Sequence, residues 1–158
     1  VKRITLYLDT SILSFYHAQD CPDEMQITRQ LLSEIKGERF EAFISTAVLE
    51  EIARAPEQMK KELLGLIRDY KFTLLEITEE IDILAKEYIK NNIIPERFEL
   101  DAVHIACAVV NNIDVIVSWN FEHIVRLRTR LAVNAISKVQ GYKEIEICSP
   151  REVIEYEV

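Results

Sequence analysis

Residues 113–121, IDVIVSWNF, decide the fold. Val115, Ile116 and Val117 follow one another without a polar break. A strand with one wet face alternates apolar and polar side chains, whereas a strand covered on both faces reads as a continuous apolar run. We therefore read 113–118 as a central strand of a parallel sheet with helices on both sides. The segment before it, roughly 98–111, is crowded with Ala102, Val103, Ile105, Ala106, Ala108 and Val109 and predicts a closely packed, buried helix. After it, Asn120 is expected to start a helix, and a second helical stretch runs to about Gln140 and stops at Gly141.

The same alternation extends to both ends. Residues 3–9 predict a first strand that ends at Asp9, 40–45 a second, 72–77 a third and 144–149 an edge strand. Helices are predicted over roughly 23–36, from Ser45 or Thr46, over about 56–69 and 79–91, and from Pro150. Strands alternating with helices along a whole chain imply a three-layer α/β/α sandwich with a mostly parallel sheet of about five strands. No linker or repeat divides residues 1–158, so one domain is expected.

In such sheets sites form beyond the carboxyl ends of the strands. That rule draws four distant residues together. Asp9 and Asn120 fall at or just past the ends of the first and fourth strands, and Glu51 falls early on the helix leaving the second. Asp101 opens the helix that must run back to feed the fourth strand, so its first turn lies at the same edge. Clustered carboxylates repel unless a cation or proton compensates. Oxygen donors without a Cys/His framework point to Mg2+ or Mn2+ rather than zinc.

Each residue has a plainer reading too. Asp9 and Asn120 are good N-caps, Glu51 is a candidate surface residue like Glu50, and Asp101 suits a helix N-terminus. Thr10 and Ser11 either reach the same cation or close a local turn. His104, on an apolar helix, reads as a satisfied core residue; Trp119 reads as core or lid; and His123 is a candidate phosphate contact.

Composition excludes several classes. A net charge of −8 argues against broad electrostatic binding of nucleic acid, yet no acid occurs between Glu122 and Glu144 while Arg126, Arg128, Arg130, Lys138 and Lys143 do. Those residues form either a solvated face or a strip that holds phosphates, with Arg126 and Arg128 as its core. Three glycines, and no Walker, GxGxxG or GxSxG motif, leave little to cradle a nucleotide. Cys21, Cys107 and Cys148 are expected as buried free thiols of a cytoplasmic protein. No apolar run approaches the roughly 18 residues of a membrane span, and no signal-peptide pattern opens the chain, so no membrane partner is expected.

LDTS at 8–11, VLEEI at 48–52, LDAVHIACA at 100–108 and VSWNF at 117–121, in this order, resemble the motifs of the PIN domain family. The resemblance covers nearly the whole chain, and the closing stretch NAISKVQGYKEIEICSPREVIEYE looks like the tail of a PIN-like subgroup. It implies a metal-dependent ribonuclease of the kind that includes VapC-type toxins, with Asp9, Glu51 and Asp101 as the acidic metal site. Glu51 is selected over Glu50 because the family acid directly precedes an aliphatic residue. Asn120 stands where the family often has another Asp, which implies one well-held cation and a poorly occupied second site. Single-stranded or looped RNA is the expected substrate, an antitoxin protein and a homodimer the expected partners. Two other classes compete. One is a catalytically weakened PIN-like module that binds RNA or protein. The other is a phosphoryl-transfer protein using Asp9, disfavoured because Ser11 stands where a second Asp is needed.

Overall fold

The computed structural model describes residues 2–156. Five strands, β1 (Ile4–Leu8), β2 (Phe40–Ser45), β3 (Phe72–Leu75), β4 (Val115–Val117) and β5 (Glu146–Cys148), form one sheet in the order β3-β2-β1-β4-β5. Every pairing is parallel, with Tyr7 opposite Phe43 on one side and Ile116 on the other. The segment 113–118 is thus interior, as its continuous apolar run requires, but the middle place belongs to β1. β5 is the expected edge strand.

Alternation along β1 assigns the two faces. Leu6 and Leu8 point into a core shared with α1 (Thr10–Phe15), α2 (Pro22–Lys36), α4 (Glu57–Asp69) and α8 (Pro150–Ile154). Tyr7 points the other way, into a core built by α5 (Glu79–Lys90), α6 (Glu99–Val110) and α7 (Leu127–Val139). α3 (Thr46–Ala53) straddles the layers, with Ala47 in one core and Val48 and Ile52 in the other. This is the three-layer α/β/α sandwich anticipated from the sequence.

Three local expectations change, the last of them the burial of the cysteines. The chain after β1 forms the short helix α1, and Asp9 occupies its N-cap position without a side-chain capping bond. No helix starts at Asn120: residues 120–126 form turns, and α7 begins at Leu127. Asn120 Oδ1 accepts the His123 N–H at 2.9 Å and its carbonyl takes the Ile124 and Val125 amides, so the first turn closes on itself instead of propagating. Gly141 ends the α7 region as expected, in the left-handed conformation at φ +91°, where a Cβ would be strained. Of the cysteines, only Cys107 is buried; Cys21 and Cys148 are half-buried, and all three are free. Trp119 is core: its Nε1 donates to Thr28 Oγ1 at 2.8 Å and its ring packs on Phe15. Among the described residues no helix is long and apolar enough to cross a membrane.

Candidate functional site

Strand order reverses between β1 and β4, since β2 and β3 lie to one side and β5 to the other. Such a switch point opens a crevice at the carboxyl ends of the two strands. Asp9 and Ser118 immediately follow them and meet across it: Ser118 Oγ donates to Asp9 Oδ2 at 2.6 Å. Ser11 Oγ donates to the other carboxylate oxygen, Oδ1, at 2.5 Å.

Asp9 is only 4% exposed. Burial raises its pKa, outweighing the lowering by the His104 charge and the two hydroxyls. The magnitudes agree with that balance. Hydrogen bonds to a charged group contribute about 1.5–3 kcal/mol each, whereas enclosing an ion costs several kcal/mol before compensation. The His104 charge and the two hydroxyls together do not offset the burial, so the Asp9 carboxylate is under-compensated. It is a place where added positive charge would be welcome.

Glu51 is held differently. Its Oε1 accepts from Thr10 Oγ1 at 2.8 Å and lies 2.5 Å from His104 Nε2. Burial acts to raise its pKa, but the bond and charge of His104, with Thr10 and Arg54, win and lower it. His104 shows the reciprocal effect: burial acts to lower its pKa, and Glu51, Asp9 and Asp101 raise it. The core-histidine reading is correct as to burial, since His104 is 1% exposed. It missed that one of the satisfying partners is Glu51. The signal was in the spacing: His104 lies one helical turn beyond Asp101 on α6.

Asp101, on the first turn of α6, completes the edge. Its Oδ2 accepts from Asn120 Nδ2 at 3.1 Å and lies 2.9 Å from His123 Nδ1. Both ends of the Asn120 amide are therefore engaged, one by Asp101 and one by the His123 backbone. Ser118 Oγ also accepts the Asn120 N–H at 2.9 Å, which joins the Asp9 and Asp101 clusters into one network. Glu51 and Asp101 line a single open cleft of about 370 Å³, with Arg54, Arg97 and Phe98 on its walls.

The basic strip is placed otherwise. Arg126 donates from Nη2 to the Ile93 carbonyl at 3.2 Å and from Nε to Thr129 Oγ1 at 3.1 Å. Arg128 donates to the Asn92 carbonyl at 2.8 Å. Both guanidinium groups pin the loop after α5, whose Asn92 takes the left-handed conformation at φ 59°. Thr10 and Ser11 sit inside the carboxylate network, as does His123, whose ring also packs against Phe98 with centroids 4.3 Å apart.

The donors suit a hard divalent cation in kind, since the network converges carboxylate oxygens and no thiolate. Glu51 Oε2 and Asp101 Oδ1 accept no hydrogen bond among the described residues. Among the described residues, however, no group of three or more His, Cys, Asp or Glu side chains is set to hold a metal ion.

No curated protein sequence matches the chain. Among solved structures it is similar to Mycobacterium tuberculosis VapC20, described as a sarcin-ricin loop cleaving toxin, at a TM-score of 0.59 and 14% identity, covering 89% of this chain and 98% of that one. It is also similar to Rickettsia felis VapBC2 bound to a DNA fragment from their promoter, at a TM-score of 0.54 and 16% identity, covering 92% and 98%. At such identities the likeness speaks for the fold. A family model described as PIN domain matches residues 6–124, which run from the strand before Asp9 through the turn after Asn120, and the chain belongs to that family.

Proposed function

We propose that this protein is a divalent-metal-dependent endoribonuclease that cleaves single-stranded or looped RNA and is held in check by an antitoxin protein. One observation carries the reading: hydrogen bonds through Ser118 join Asp9, Asn120 and Asp101 beside the β1/β4 switch point, and Glu51 lines one cleft with Asp101. Family membership supports a nuclease, and the toxin and toxin–antitoxin structures of the same fold support the biological role.

Mg2+ or Mn2+ would be held by Asp9, Glu51 and Asp101. When bound, such an ion offsets the charge that builds on a phosphodiester in the transition state and supplies hydroxide at neutral pH. The chain does the rest. Thr10 and His104 both engage Oε1 of Glu51 and leave Oε2 without a hydrogen bond among the described residues, and Asn120 with His123 does the same for Asp101, engaging Oδ2 and leaving Oδ1. Arg54 and Arg97 are the basic side chains beside these carboxylates and are better placed for RNA phosphates than Arg126 and Arg128. An exposed, unpaired backbone is required to enter a cleft of this size, which favours single strands and loops. A homodimer would cover exposed apolar side chains such as Leu64 on α4 and Ile83 on α5.

The engaged amide of Asn120 favours a second reading, a PIN module that binds RNA or protein with little turnover. Labelled single-stranded RNA with Mn2+ separates the two. Cleavage by the wild type and not by Asp9→Asn supports the enzyme. No metal-dependent cleavage, or equal cleavage by both proteins, removes it, and RNA retention without cleavage supports the module.

A further inference from the structure

Behind Glu51 runs a buried polar chain that the site does not obviously need. His104 Nδ1 lies 2.6 Å from Tyr7 Oη, and Tyr7 Oη lies 2.7 Å from Ser45 Oγ. Ser45 in turn caps α3, the helix that carries Glu51, by accepting the Ala47 N–H at 3.1 Å. Tyr7 and Ser45 are fully enclosed. The chain leaves the N-cap of α3, passes through β1 and α6, and returns to α3 at Glu51.

Counting hydrogens fixes its end at Glu51. An ionised Glu51 only accepts, so His104 must present an Nε2–H to it. With neutral imidazole, Nδ1 then accepts the Tyr7 hydroxyl, and Tyr7 accepts the Ser45 hydroxyl. With imidazolium, Nδ1–H donates to Tyr7, which donates to Ser45. The sense reverses beyond Nδ1, but in both charge states Nε2–H stays on Glu51. A histidine free to choose would exchange tautomers; this one has a single donor facing the carboxylate.

We infer that Tyr7 and His104 are positioning residues, a relay anchored on the α3 cap that holds one oxygen of Glu51 so that only the other faces the cleft. Partners of this kind, behind a ligating carboxylate, typically change metal affinity or activity 10- to 100-fold when removed. The inference rests on the nuclease reading for its consequence, but the relay itself is a statement about protons.

The molecule supplies a matched control. Tyr88 Oη lies 2.6 Å from Ser137 Oγ, equally buried and between α5 and α7, with no link to the carboxylates. Tyr7→Phe and Tyr88→Phe each remove one buried hydroxyl and should both lower Tm, Tyr7→Phe the more because it leaves two partners unpaired rather than one. Only Tyr7→Phe should weaken Mn2+ binding, measured by electron paramagnetic resonance without RNA, by about tenfold. Turnover should fall by a similar factor with KM unchanged. His104→Leu should do the same or more, and His104→Gln, which restores a donor, should recover most of the Mn2+ affinity. Nitrogen-15 spectra of the wild-type imidazole should show hydrogen on Nε2.

If both phenylalanine variants lose stability and both keep wild-type Mn2+ affinity and turnover, the relay is packing only. An Nε2 without hydrogen overturns it outright. A wild type that neither binds Mn2+ nor cuts RNA sinks the nuclease reading instead, and the imidazole spectrum still decides the relay.

Discussion

The two halves of the site are built by opposite means. Asp101 takes its partners from Asn120 and His123, 19 and 22 positions away and three residues from each other. Glu51 takes its partners from 41 and 53 positions away, and Asp9 reaches Ser118 across 109. The Asp101 half is a local turn docked on a helix start. The Asp9–Glu51 half exists only once β1, β2 and β4 have assembled with α1, α3 and α6. Exposure follows the same division less cleanly: Asp9 is enclosed, whereas the side chains of Glu51 and Asp101 are 32% and 18% exposed. The lesson is that the enclosed carboxylate is the one that fold assembly strains, and the two cleft-facing ones are those it leaves available.

Asp9→Asn is the sharpest way to break this contrast. We expect it to lower RNA cleavage on the order of 100-fold or more, each tenfold step being about 1.4 kcal/mol of barrier. It should also raise the Tm of the metal-free protein, because it removes a charge whose burial is only partly compensated. The gain should be about 3 °C for each kcal/mol recovered in a domain of this size. Loss of activity with loss of stability would mean that Asp9 is a structural acid.

In the other half, Asn120→Asp exchanges the Nδ2 donor on Asp101 for a second carboxylate. Metal-free stability should fall by about 1 kcal/mol or more, read from urea unfolding. Affinity for Mn2+ should rise several-fold, since divalent binding depends on ligand charge. A variant unchanged in both would reduce Asn120 to a turn residue.

Arg126→Ala acts between the halves and the loop after α5. It should cost about 1 kcal/mol of stability through the uncovered Ile93 carbonyl, and change RNA affinity less than Arg97→Ala does. The reverse order in filter-binding titrations would return Arg126 to the phosphate strip.

The smallest effect is on pH dependence. His104 has its pKa raised above its ordinary 6.5, so its contribution is fully present below pH 6.5 and is lost as pH rises through the folded value. Asp9, also raised, contributes below its ordinary 3.8 and loses that contribution as pH climbs. Glu51 is lowered and has the opposite sense, its contribution being present above 4.5 and lost as pH falls. Of these three only His104 acts above pH 6.5, so metal-free Tm should decline from pH 6.5 to about 8, below the range where the buried thiols and phenols add their own loss, and His104→Gln should flatten that limb.

Much of this was legible from residue order. The unbroken Val115–Val117 run required an interior parallel strand, and strand–helix alternation then required a layered sandwich. The rule for strand ends implied that Asp9, Glu51, Asp101 and Asn120 share one edge of the sheet. Less legible was the helix after β1, because the six residues TSILSF are too few to show helical periodicity. The reading of a helix at Asn120 failed for a related reason: an Asn side chain that closes its own turn looks the same, in one dimension, as an Asn that starts a helix.

Local periodicity and the chemistry of acids thus determined the fold class and the edge where the site lies, because both depend on residues near one another in the chain. Only the tertiary structure decided how each acid is compensated. Hydroxyls enclose Asp9, His104 and Tyr7 stand behind Glu51, and Arg126 and Arg128 are drawn off to carbonyls. Those assignments depend on atoms brought within 3 Å or so by packing across distant elements, and hydrogen bonding at that range leaves no period in a sequence.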